Sequence, residues 1–467
     1  MDDKIDIGRL IPSLPAQITA KYTIKKELGK GAYGVVYLAE NKETKEQVAL
    51  KRIINVFRTK TDAKRTLREI SILRQCHHPN IVALKELPVP KDQHTYRSLW
   101  VVQEYGGADL SKVVNSSDRG ADWDERSVKH ILYQLLCGLL YLQSGNLVHR
   151  DLKPSNVLLN ENMEVKIIDF GLARQMNLQY KEKKESKAPH LSSLHSQMDV
   201  ETAGIQKPAE KPAMERQLTQ HVVTRWYRAP ELILLQEYYN AAIDVWSVGC
   251  IFAELLQTLE PGLKPAPLFP GKTCFPLSAR RSEREINTKL DEEFHAETHQ
   301  LMKIFEVIGT PEREDVEGLD EGPMKEFLLD VEKIPPADFS FLFPSASEEA
   351  IALLKRMLVF SPKHRITVKE AIASPFLEEV RDVEKEVVMD RMLSFPFEFD
   401  SGNYEMQLLH LRRLIYEETV DFSRQIERRA SYRNRSATMG DLPQVTVVKK
   451  KKPKAKVRRK EKRCSIV

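Results

Sequence analysis

Residues 28–36 read LGKGAYGVV, which sets Gly29, Gly31 and Gly34 at close intervals between Leu28 and Val36. Glycines so spaced let a backbone lie against phosphate oxygens, where any Cβ would clash. Alone, the same pattern is what a plain turn between two strands looks like. A dinucleotide-binding reading needs a helix next, and the strand-like GVVYLAE follows instead. Further on, VALK puts Lys51 in a strand and LREI puts Glu69 on the following helix. Such a pair can hold an ammonium against bound phosphates, although each residue alone reads as a solvated surface charge. HRDLKPSN (149–156), DFG (169–171) and APE (229–231) then appear in order. Five ordered patterns at these spacings exceed what chance supplies.

Two kinds of scaffold must position these residues. From Tyr22 to Ile54, the β-type runs YTIKKEL, GVVYLAE and QVALKRII alternate with turns. Asp62–Gln75 carries Leu67, Ile70 and Leu73 at helical spacing, and LWVVQE (99–104) closes a β-rich unit. Beyond residue 110 the pattern is helical. Val128, Ile131, Leu132, Leu135, Leu139 and Leu142 share one face, while DVWSVGCIFAELL (244–256) is apolar nearly all round, as in a helix through the middle of a lobe. Residues 1–21, with Pro12 and Pro15 and no period, read as an extended leader. Residues 175–218 read as a disordered insertion, and 259–298, Pro-rich and then charged, as a second one. No internal repeat is visible.

The chain has 467 residues, 42% hydrophobic and 30% charged, which excludes collagen-like, coiled-coil and wholly disordered classes. Five scattered cysteines (76, 137, 250, 274 and 464) form no C-x-x-C pair, so zinc-ribbon and redox readings lack support. The polar start MDDKIDIGRL has no apolar signal region, and the apolar stretches stop short of a membrane span. A reducing, intracellular setting is expected. The formal net charge of +5 is uneven. Lys449–Arg463 holds 11 Lys/Arg and one Glu, a local +10, which leaves 61 basic against 66 acidic residues elsewhere. A nucleic-acid binder is disfavoured, because the positive charge sits in the tail without interleaved aromatics.

Taken together, the motifs resemble the eukaryotic protein kinases over residues 22–377. That resemblance implies an α+β, bilobal fold with a small β-rich N-lobe and a larger helical C-lobe. It implies ATP and Mg²⁺ as cofactors. Leu28, Gly29, Gly31, Gly34, Val36, Lys51 and Glu69 match the nucleotide-binding positions. Val102–Gly106 matches the hinge that hydrogen-bonds adenine through its backbone, with Gln103 as gatekeeper beside Glu104 and Tyr105. Asp151 matches the base or orienter for a substrate hydroxyl, and Lys153 marks the serine/threonine version. Asn156 and Asp169 match the Mg²⁺ ligands, their oxygens suiting a hard cation. With all of these present, a catalytically dead kinase-fold scaffold is the weaker reading.

TQHVVTRWYRAPE (219–231) is similar to the activation motif of the mitogen-activated protein kinases. FPFEF (395–399) and QLLHLRRLIYEETVDF (407–422) resemble their C-terminal extension, assigned here to 378–430. Leu408, Leu411, Ile415 and Phe422 share the face that would dock on the small lobe. The resemblance implies proline-directed phosphorylation through Arg228, protein substrates with Ser/Thr-Pro sites, and an upstream kinase or autophosphorylation. His221 replaces the second phosphorylated residue, as in some protist members with T-x-H, and leaves Thr219 as the lone switch. A phosphate there would be clamped by Arg65, Arg68, Arg150 and Arg174. Asp382 and Glu386 resemble an acidic docking patch, though Lys385 interrupts it.

Residues 431–467 read as a disordered basic tail ending Cys464-Ser465-Ile466-Val467. Three readings stay open. Cys464 fits a prenylation box whose second signal is the lysine block, giving a cytoplasmic protein held at an anionic membrane. KKKKPKAKVRRK also fits a nuclear-localisation run, and a solvated tail is the plain alternative. Arg428-Arg429-Ala430-Ser431 and Arg433-Asn434-Arg435-Ser436 resemble sites for basophilic kinases.

Overall fold

A computed structural model describes residues 14–31, 34–120, 122–176, 225–234, 240–272, 299–319, 322–395 and 407–438. Helix α1 (Ala16–Lys21) starts directly after Pro15. Ile18 is 1% exposed and fills one sheet face together with Tyr22, Tyr37, Leu50 and Trp100. The end of the leader, expected to be extended, is therefore helical. Six residues are too few to show a period, and it is burial of Ile18 that fixes their conformation.

Strands β1 (Tyr22–Gly31), β2 (Gly34–Asn41), β3 (Gln47–Ile53), β4 (Leu84–Glu86) and β5 (Leu99–Glu104) form an antiparallel sheet in the order β1-β2-β3-β5-β4. Helix α2 (Lys60–Leu73) crosses it, capped by Thr59, whose hydroxyl accepts the Asp62 N–H at 3.0 Å. Leu67 and Ile70 on α2 pack with Ile53, Leu99 and Val101 on the sheet's second face.

The larger lobe is helical, as expected. Helix α3 (Glu125–Ser144) buries the whole forecast face, and also Tyr133, Leu136, Cys137, Leu140 and Tyr141. Helix α4 (Ala242–Gln257) is buried at every residue from Ile243 to Leu256. The described first part of the expected second insertion, residues 259–272, packs on the lobe, while 273–298 and the expected insertion from 177 to 218 lie outside the described residues. Gln257 exchanges hydrogen bonds with Ala266 at 2.9 Å, and Phe269 stacks on Trp246 with ring centroids 5.4 Å apart. Small antiparallel ladders, β6 (Ala108–Asp109) with β8 (Val157–Leu159) and β9 (Val165–Ile167), and β7 (Leu147–Val148) with β10 (Arg174–Gln175), frame the loops between the lobes.

Helix α5 (Leu408–Thr438) returns to the small lobe. Leu411, Ile415 and Phe422 are buried against α2, with Leu408 at the margin. The helix continues past residue 430, so the expected disordered tail begins in regular structure. Among the described residues no helix is long and apolar enough to cross a membrane. Cys76, Cys137 and Cys250 are buried free thiols.

Candidate active site

The glycine positions separate into two kinds. A Cβ on Gly34 would lie 1.9 Å from the Arg52 carbonyl oxygen, so the β2–β3 contact itself demands glycine there. A Cβ on Gly29 or Gly31 would meet no protein atom within 4 Å. Packing does not require glycine at those two positions, and a ligand lying under the β1–β2 turn would. Val36 pairs with Lys51 across β2 and β3, which sets the lysine beneath that turn.

Lys51 Nζ lies 2.5 Å from Glu69 Oε1. Burial works to lower the Lys51 pKa, but the carboxylates of Glu69 and Asp169 prevail and hold the ammonium above its ordinary value. Burial would likewise raise the Asp169 carboxyl, yet Lys51, His149 and the Gly171 N–H keep it below the usual carboxylate range. Asp169 sits at a left-handed φ of 66° and accepts the Gly171 N–H at 3.3 Å. Its carboxylate is thus ionised and fixed in direction.

Asp151 is held by its neighbours in the same motif. Lys153 Nζ donates to its Oδ2 at 2.8 Å, and Asn156 Nδ2 donates to Oδ2 at 3.0 Å and to its carbonyl at 2.8 Å. Lys51, Glu69, Asp151, Lys153 and Asp169 line one cleft between the lobes. Asn156 and Asp169 supply the oxygen chemistry a hard divalent ion needs, and the open space at Gly29 and Gly31 suits a polyphosphate. The residues therefore fit a metal-bound nucleotide.

On the central sheet, Gln103 is buried on β5 opposite Ala49. The Glu104 side chain bonds to Lys166 and accepts the Ala83 N–H at 3.3 Å, which turns it away from the cleft. Leu28, Val36 and Tyr105 are half-buried.

Of the four arginines expected to clamp a phosphate, Arg65 lines the cleft. Arg68 is 2% exposed and donates to the Gly171 carbonyl at 2.6 Å, bracing the DFG turn from α2. Arg174 on β10 donates to the Ala173 carbonyl at 3.0 Å. Arg150 has a φ of 69°. Arg228 follows Tyr227 in a turn, its N–H donating to the Arg225 carbonyl at 3.1 Å. Thr219, His221 and Cys464 lie outside the described residues.

Sequence reading missed Asp244. Buried at the start of α4, it accepts the N–H groups of His149 at 2.7 Å and Arg150 at 2.9 Å. That pair of hydrogen bonds fixes the backbone one residue before Asp151 and supports the left-handed Arg150. An acid at the start of an apolar helix was the available signal, and ordinary helix capping accounts for it equally well. A second omission is the buried pair Arg365–Glu231, with two contacts of 2.7 and 2.9 Å, which anchors the APE segment.

The chain matches the protein kinase domain family over residues 22–377. It is 37% identical over 408 residues to mitogen-activated protein kinase 6 of Arabidopsis thaliana, covering 87% of this chain and 85% of that protein. Similarity to mitogen-activated protein kinase 1 of Oryza sativa subsp. japonica is also 37% over 408 residues, covering 87% and 84%. Mitogen-activated protein kinase 4 of Arabidopsis thaliana is 37% identical over 410 residues, covering 88% and 90%.

Proposed function

The chain belongs to the protein kinases, among the mitogen-activated protein kinases, and from that premise we propose a serine/threonine kinase that selects hydroxyls followed by proline. Protein kinases use ATP and Mg²⁺ and act on proteins. When bound, the nucleotide supplies the transferable phosphoryl group and the metal supplies neutralising charge. Asn156 and Asp169 would hold the metal. Lys51, fixed by Glu69, places positive charge beside the phosphates, and Lys153 adds a second ammonium next to the reacting hydroxyl. Asp151 orients that hydroxyl and takes its proton. Such chemistry depends on positioning and electrostatics more than on covalent catalysis. The supporting observation is the convergence of Lys51, Glu69, Asp151, Lys153 and Asp169 on one cleft, with Asn156 bonded to Asp151.

Proline selection rests on Arg228 within RWYRAPE. Activation rests on Thr219, whose phosphate would be clamped by Arg65, Arg68, Arg150 and Arg174. Membrane attachment rests on Cys464 beside the lysine block. Docking of basic peptides is weakened, because Glu386 is already bridged by Arg381 at 2.7 Å and Asp382 by Lys385 at 3.5 Å. The test is transfer from ATP to paired peptides differing only in Ser-Pro against Ser-Ala. Strong preference for Ser-Pro is expected. Equal rates would remove the proline-directed reading and leave the kinase reading intact. Thr219→Ala and Cys464→Ser, assayed by activity and membrane fractionation, test the other two.

A further inference from the structure

Helix α5 changes character along its length. Leu411, Ile415, Phe422 and Ile426 form the apolar stripe that packs on the small lobe. Continued at helical spacing, the same stripe reaches Arg429. Arginine there removes the apolar burial that fastens the helix. Among the described side chains after Ile426, Glu427, Arg428, Arg429 and Ser431 are all exposed. On the opposite face Arg424, Arg428 and Ser431 follow one another at i, i+4 and i+7. The Ser431 hydroxyl donates to the Arg428 carbonyl at 3.0 Å.

We propose that Ser431 is a phosphorylation site for a separate, arginine-directed protein kinase. Two guanidiniums three and two residues before an exposed hydroxyl suit a substrate groove lined with carboxylates, through charge-assisted bonds. Reaching Ser431 requires local unwinding. Among the described side chains after Ile426 none buries apolar surface to hold the helix closed, so that opening is inexpensive. Tyr432 rather than proline follows the serine. On the proline-directed reading above, on which this exclusion rests, the chain does not modify itself here. In the transfer, the Ser431 Oγ–phosphorus bond forms and the bond from the γ-phosphorus of ATP to its bridging oxygen breaks. ADP leaves, and the hydroxyl proton passes to the modifying kinase's base. The phosphate brings about −1.5 to −2 charges into an arginine-rich helix face.

The substrate for the test is the full chain carrying Asp151→Asn, treated with ATP and a purified arginine-directed kinase, then mapped by mass spectrometry. Phosphate on Ser431 is expected, with incorporation slowed at least tenfold in the added Arg428→Ala/Arg429→Ala variant. Labelling of Ser436 in place of Ser431, or an undiminished rate in the arginine variant, overturns the proposal. Label on Ser431 of the otherwise unaltered chain with ATP alone also overturns it, since the chain would then be its own modifier. The Ser-Pro peptide assay reports on the catalytic reading separately, so the two fail independently.

Discussion

Arg74, at the end of α2, reaches Glu418 on α5 with Nη1 3.0 Å from Oε2. Glu418 is 7% exposed, and burial draws its carboxyl above the usual range against the opposing pull of Arg74. Glu69 sits on the same α2 helix. The C-terminal segment is therefore tied to the element that carries the partner of Lys51. Outside α2, the small lobe holds the same helix through Tyr96, which donates to the Arg412 carbonyl at 2.8 Å, and through the Leu87 carbonyl, which accepts from Ser423 at 3.0 Å.

Glu418→Ala should lower stability by about 2 kcal/mol, less than for a fully buried pair because Arg74 reaches solvent. If the pair steadies α2, the same variant raises the KM for ATP. A double-mutant cycle with Arg74→Ala in urea unfolding should show coupling above about 0.5 kcal/mol. Simple additivity would mean the contact does no more than pack.

Asp151→Asn keeps the shape of the residue but removes the carboxylate that accepts from Lys153 and Asn156. Turnover should fall by about 10²–10⁴-fold or more, while nucleotide binding, measured by calorimetry, persists. Retained turnover would refute the role given to Asp151.

Gly31→Ala and Gly34→Ala should differ in kind. The first adds a Cβ into open space, so the unfolding midpoint should hold while the KM for ATP rises. The second sets a Cβ against backbone at 1.9 Å and should cost about 1–3 kcal/mol of stability. Thermal unfolding alongside ATP titration separates them, and equal midpoints would contradict the packing argument.

Glu254 lies on α4, and burial raises its carboxyl from 4.5 to about 7, opposed by a hydrogen bond from Tyr227. Tyr227 directly precedes Arg228. An acid with a raised folded pKa binds more protons folded than unfolded, so its contribution to stability falls as pH rises through about 4.5 to 7. Glu254→Gln should flatten that slope, read as urea midpoints between pH 5 and 8. An unchanged slope would show that other groups carry it.

Much of the cleft was legible because its parts are local. Asp151, Lys153 and Asn156 bond to one another within six residues, so one short motif specifies their geometry. Likewise, Leu411, Ile415 and Phe422 announce a docking face because a helix repeats its surface every few residues. Phe269 was not legible. A Pro-rich stretch with no period looks like an insertion, and only the Trp246 ring waiting on α4 makes it part of the core.

By itself the sequence determined the order of the motifs, a β-rich part followed by a helical one, and the residues able to handle phosphate, since each depends on residue type and short-range spacing. The two-lobed class came from the resemblance those motifs carry. Only the tertiary structure decided which distant groups hold them in place. Asp244 under the Arg150 turn, Arg68 on the DFG backbone and Glu418 on Arg74 are single polar residues far along the chain from their partners. One charge carries no period and does not name its counterpart. Folding selects the partner by burying both, where an unmatched charge or N–H costs too much to leave alone.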